Sequence, residues 1–135
     1  MKEQSSAVSL AELAVGFEFA PARYQLGKDL VGKYLEAVDG GKEFLTDGLV
    51  PPLAIAACAM TTISQSVRIP PGSIHASQDF EFLKPLAIGA SVNCGGRVAQ
   101  KLERGGLCLI MLEINVTDQG GDRVLTGKAT IAAPK

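Results

Sequence analysis

The chain's single histidine, His75, stands in the run SIHASQDFEFLKP, residues 73–85. An imidazole changes charge near neutral pH and moves protons readily, so His75 is the first candidate for acid–base work. Three carboxylates, Asp39, Glu43 and Asp47, fall in or beside a polar connection ahead of a long apolar run. Any of them could act as a base toward a bound water. Cys58, Cys94 and Cys108 lie far apart in apolar stretches without Cys-x-x-Cys spacing, and one histidine cannot complete a zinc set with them. The thiols are therefore expected to be buried and reduced, with no metal site.

These side chains depend on the elements that carry them. VGFEFAPARYQL (15–26) alternates Val15, Phe17 and Phe19 with smaller or charged residues and reads as a short strand broken at Pro21. GKDLVGKYLEAVDGG then places Leu30, Tyr34 and Val38 at i, i+4 and i+8, an amphipathic helix closed by Gly40 and Gly41. A polar connection, KEFLTDGLV, leads to PPLAIAACAMTTISQSV, where Pro51 and Pro52 suit a first helical turn. From Leu53 to Met60 no residue is charged, so that helix is expected to be enclosed by protein on all sides. After RIPPG come four strand-like runs, SIHASQDFEFL, ASVNCGGRVAQKLE, GLCLIMLEINVTD and RVLTGKATIAAP, separated by turn signals. LCLIMLEINV is apolar on both faces at its start, the pattern of a central strand.

A period of two sets His75 with Ser73 and Ser77, opposite Ile74, Ala76 and Gln78. Phe80 and Phe82 share the even-numbered face, so His75 leans away from the apolar side with Asp79 and Glu81. That is the position of a sheet-surface or interface residue before that of a catalyst.

One buried helix followed by a four-stranded antiparallel meander, with a further strand ahead, predicts an α+β hot-dog fold: a curved sheet wrapped around a central helix. A ferredoxin-like domain would need helices between the later strands, and none is indicated. The 135 residues form one expected domain, with residues 1–10 flexible. Net charge is −1, without basic blocks, which argues against nucleic acid and anionic membrane as partners. No signal-like apolar block or membrane-length run occurs, so a soluble, cytoplasmic protein is expected.

YLEAVDG (34–40), GLVPPLAIAA (48–57) and GSIHASQDFEFLKPLAIGASV (72–92) resemble the MaoC-like hydratase/dehydratase family of the hot-dog superfamily. The likeness covers roughly residues 16–133 and is nearest the N-terminal dehydratase half of two-domain members. The resemblance implies acyl-CoA or another acyl thioester as substrate or ligand, with no further cofactor. Active members carry G-D-x-N-P-x-H, whose aspartate and histidine hold and activate one water. Laid on this chain, the motif's aspartate falls on Asp39, its asparagine–proline on Gly41 and Lys42, and its histidine on Phe44. The dyad is thus incomplete, which implies a non-catalytic or partner-dependent subunit, in a homodimer or a heterodimer with a dyad-bearing MaoC-like subunit.

Asp39 and His75 remain the catalytic candidates, with His75 able to reach a partner's loop. Gly48, Leu49 and Val50 are the substrate-binding candidates, since in relatives the start of the buried helix polarises a thioester carbonyl. Gly48 and Val50 keep an N–H for that purpose, whereas Pro51 and Pro52 have none. Two other readings stand beside this one: a hot-dog thioesterase using Asp39, Asp47 or Glu43, and a binding or assembly protein without thioester chemistry.

Overall fold

A computed structural model describes residues 8–135. The elements in order are β1 (Val8–Ser9), β2 (Ala22–Gln25), α1 (Lys28–Val38), α2 (Glu43–Asp47), α3 (Pro52–Ser66), β3 (Val67–Arg68), β4 (Ile74–Phe82), β5 (Ser91–Arg104), β6 (Leu107–Asp118) and β7 (Arg123–Pro134). The last four long strands and β2 form one antiparallel sheet in the order β2-β5-β6-β7-β4. β1 and β3 pair separately as a short parallel ladder.

The central strand is β6, as its two-sided apolar start predicts. Its even residues Cys108, Ile110, Leu112, Ile114 and Val116 are buried and face α3. Ala54, Ala56, Cys58 and Ala59 keep that face of α3 thin, so helix and sheet approach closely. Each large aliphatic chain enclosed there contributes about 2–3 kcal/mol of transfer free energy. Thr62, a buried polar residue of α3, donates its hydroxyl to the Cys58 carbonyl at 2.9 Å and lies 3.3 Å from the Tyr24 hydroxyl. Burial also pushes the Cys94 thiol up to about 12 and raises that of Cys58, which keeps both protonated.

Several expectations are corrected. The four long strands are not a simple meander, because β4 pairs with β7 at the sheet edge and not with its sequence neighbour β5. The connection after β4 is too long for a tight hairpin and crosses the start of α3, where Val50 N–H donates to Leu86 and Ile88 N–H to Gly48. The early strand follows Pro21 instead of preceding it. Residues 17–19 only run along β5, through Val98 N–H to Phe17 and Phe19 N–H to Gly96.

In α1 the enclosed pair is Val31 and Leu35, with Leu30 and Tyr34 flanking and Val38 exposed where the helix ends. The polar connection contains the short helix α2, closed by Gly48 at φ 74°. Nor is α3 covered all round, since Leu53, Ala57, Thr61 and Ser64 form an open line along it, Leu53 at 57% exposure. The flexible run expected over 1–10 lies outside the described residues as far as residue 7. At its end Val8–Ser9 pair with β3 and Leu10 is fully enclosed.

The Lys84–Pro85 step has a structural task. Lys84 Nζ donates to Asp118 Oδ2 at 2.6 Å and reaches Asp122 at 3.4 Å. Asp118 Oδ1 accepts the N–H groups of Gly120 and Asp122, each at 3.0 Å, which ties down the β6–β7 turn. The hydrogen bond from Lys84 lowers the Asp118 carboxyl below its usual 3.8, and the same bond raises the Lys84 ammonium above 10.5.

The carboxylate's contribution is complete above pH 3.8 and is lost as pH falls through the lowered value. The ammonium's is complete below pH 10.5 and is lost as pH rises through the raised one. Lys84→Met should therefore show a flatter pH dependence of thermal unfolding than the wild type at both extremes. Identical curves would contradict this account.

Candidate functional site

β4 holds the chain's imidazole, and its geometry departs from an even alternation. His75 pairs with Ile131 and Ser77 with Thr130, so Ala76 is an extra residue, a β-bulge. Ile131 is buried and pairs with Ile110 on the face toward α3. The bulge therefore turns His75 onto that face, together with Gln78, Phe80 and Phe82, whose partners are Ala129, Gly127 and Leu125. Ile74, Ser77, Asp79 and Glu81 share the outer face. This reverses the side expected for His75.

The glycine opposite Phe80 is needed there. A Cβ on Gly127 would meet the ring at 2.9 Å and the Asp79 carbonyl at 2.8 Å.

His75 is not isolated on that face. Its Nε2 lies 2.9 Å from Gln78 Oε1, while Gln78 Nε2 donates to the carbonyls of Asp79 (3.2 Å) and Lys128 (3.1 Å). Those donations fix the amide's orientation, so Oε1 must accept. The neutral imidazole then carries its proton on Nε2 and leaves Nδ1 an acceptor without a partner among the described residues. A base oriented by a neighbouring amide follows the logic of catalytic groups held by a third residue. Gln78 was missed because strict alternation separates it from His75, and nothing in residue type announces a bulge.

The other candidates lie elsewhere. Asp39 ends α1 at φ 56°, ψ 52°, its side chain exposed, in the left-handed region that glycine prefers. Asp39→Gly should hold or raise stability, by up to about 1 kcal/mol in urea unfolding, since relieving the strain offsets the added freedom of the unfolded chain. A clear loss would show that the carboxylate has a structural partner. Phe44, at the motif's histidine position, is half-buried, with its ring beside Gly41 and, through it, Leu35.

The N–H groups of 48–50 are already in use. Gly48 and Leu49 donate to the Phe44 carbonyl and Val50 donates to Leu86. None of the three is thus a free oxyanion donor in this arrangement. With Pro51 and Pro52 lacking an N–H, Leu53 offers the first one outside the helical ladder. Leu45, Leu49 and Leu53 leave apolar surface open around that helix start.

One chain does not bring these groups together. The helix start bonds to residues 86–88, beyond the end of β4, whereas His75 is at its beginning. At about 3.3 Å per residue that separation is roughly 20 Å or more. A hollow of about 830 Å³ lies at neither place but on the outer face of the sheet. Glu18, Asp79, Arg97, Glu113 and Lys128 are among its lining, with Arg97 and Glu113 paired at 2.9 Å. Among the described residues no three histidine, cysteine or acidic side chains gather as metal ligands.

No family model and no curated protein matches the chain. Solved structures do. The R-hydratase PhaJ1 of Pseudomonas aeruginosa superposes with TM-score 0.77 at 22% identity, covering 96% of this chain and 87% of that one. The MaoC-like dehydratase of Rhodospirillum rubrum gives 0.73 at 18%, covering 95% and 97%. The HadBC 3R-hydroxyacyl-ACP dehydratase complex of Mycobacterium tuberculosis gives 0.68 at 18%, covering 92% and 100%. At such identities the likeness is one of architecture: a curved antiparallel sheet wrapped around a central helix, which gives this chain the hot-dog fold.

Proposed function

We propose that this chain is an acyl-thioester-handling hot-dog subunit, related to enoyl-CoA hydratases and 3-hydroxyacyl dehydratases, that completes its site only with a second subunit. The observation carrying this reading is Phe44, an aromatic ring packed near Leu35 where the motif's histidine would stand. An open apolar entrance at Leu45, Leu49 and Leu53 and the edge of β4, unpaired among the described residues, support it further. An exposed strand edge nine residues long is a pairing template. Pairing there would close a cleft between two sheets, in a homodimer or with a dyad-bearing MaoC-like subunit. Similarity to a hydratase, a dehydratase and a two-protein dehydratase complex favours acyl-CoA or acyl-carrier thioesters as ligands. Free, buried cysteines suit the cytoplasm, and among the described residues no helix is long and apolar enough to cross a membrane.

The experiment is an assay of crotonyl-CoA hydration across a dilution series, with and without a dyad-bearing subunit. Turnover should require association. Hydration that is independent of concentration and partner, yet abolished by Asp39→Asn, would overturn the proposal. Release of free CoA would mark a thioesterase instead, and absence of acyl-CoA binding in calorimetry would leave an assembly role.

A further inference from the structure

His75 and Gln78 face the α3 side of β4, but no described residue covers that part of the face: His75 and Phe82 are exposed. The strand's free edge is uneven in charge. Ile74, His75, Ala76, Ser77 and Gln78 carry no acid, whereas Asp79 and Glu81 follow on the outer face. A parallel copy in register would stack acid on acid. An antiparallel copy sets each acidic half against the half holding the imidazole. Centring the pairing on Gln78 puts Asp79 against Ser77, and the bulge then brings His75 opposite Phe80 of the second copy. His75 thereby moves from the far end of its own β4 to the end where the other copy's 83–88 segment bonds to its helix start.

Resting on the thioester reading above, we infer that His75, held by Gln78, is lent across this seam to the helix-start cleft of a second copy. There its Nδ1 accepts a hydrogen bond from the C3 hydroxyl of a 3-hydroxyacyl thioester, or from the water that adds at that carbon. An acceptor fits this position because an acyl chain without the hydroxyl offers nothing to donate. The imidazole missing at Phe44 is thus supplied in trans by a different strand.

Two measurements test this. The first places cysteines at 75 and 82 in one chain and adds a short bismaleimide. The native thiols are buried, and the two positions are roughly 20 Å apart within a chain, so a link forms only between copies. A covalent dimer is expected from the double variant and none from either single variant. A monomer in solution, or two reactive thiols that never link, overturns the seam.

The second measures binding of 3-hydroxybutyryl-CoA and butyryl-CoA by calorimetry. The wild type should favour the hydroxy ester about tenfold, and His75→Ala should abolish that preference while keeping affinity for butyryl-CoA. Gln78→Leu should reduce the preference in part. An equal loss for both esters would put the imidazole on the CoA moiety, and an unchanged preference would remove it from the site; either overturns the assignment. Failure to bind any acyl-CoA would overturn the thioester reading as well, and the cross-link result would still report on the seam by itself.

Discussion

Leu112→Ala is expected to destabilise the fold by about 3 kcal/mol, enough to lower the melting temperature by roughly 10 °C. Leu112 is 2% exposed at the centre of the sheet, flanked by Val98 on β5 and Ala129 on β7, and it faces α3. Nothing large beside it can collapse into the space: Ala129 is already minimal, and the nearby face of α3 consists of Ala54, Ala56, Cys58 and Ala59. The lost transfer energy and the residual cavity therefore add. Urea unfolding should show a reduced midpoint at constant slope. A loss under 1 kcal/mol would mean that helix and sheet close the gap, and that the thin side of α3 does not hold the spacing.

The second large effect concerns association and leaves the monomer intact. If the proposed pairing holds, Leu53→Asp with Phe82→Asp should weaken it by at least about a hundredfold, near 3 kcal/mol, in sedimentation velocity. Leu53 is 57% exposed and Phe82 42% exposed in the single chain, so neither change opens the core and thermal unfolding of the dilute monomer should move little. In the paired form both would bury an uncompensated carboxylate against apolar surface. Dimer affinity that ignores both charges would place association on another face, the outer side of the sheet being the alternative. Its exposed Ile74, Leu102 and Leu107 are the apolar residues available there.

The sequence discloses the architecture where a local pattern stands for a local structure. LCLIMLEINV, apolar on both faces, is the central strand, and the uncharged run after Pro51–Pro52 is the helix the sheet wraps. What stays hidden is non-local. That β4 lies beside β7, four strands from β2, depends on a connection crossing the start of α3, and no periodicity within either strand encodes it. The open line on α3 was also illegible. An apolar residue facing a partner and one facing the core obey the same pattern, so Leu53 cannot be told from Ile55 by type.

The candidate residues follow the same division. Phe44 as the place of a missing histidine is what the family resemblance implied, once its motif was laid from Asp39; nothing in this chain's own residue types marks it. The use of the N–H groups of 48–50 by Phe44 and Leu86 was not legible, because those acceptors are set by the turns of α2 and of 83–90.

Ala76 carries a consequence of a different order. Removing that one alanine would make Ser77 and His75 neighbours in a regular ladder, so His75 would keep its place against Ile131 and stay on the α3 face. With the alanine present, it is the bulge alone that puts the imidazole there. The equipment of this surface is thus written in spacing as well as in residue identity. With one residue between them in a regular strand, the histidine and the glutamine would share a face by alternation; with two, as here, only the bulge brings them together. Straightening β4 with the alanine kept in the ladder would, in contrast, set Ala76 against Ile131 and turn the imidazole outward without substituting it.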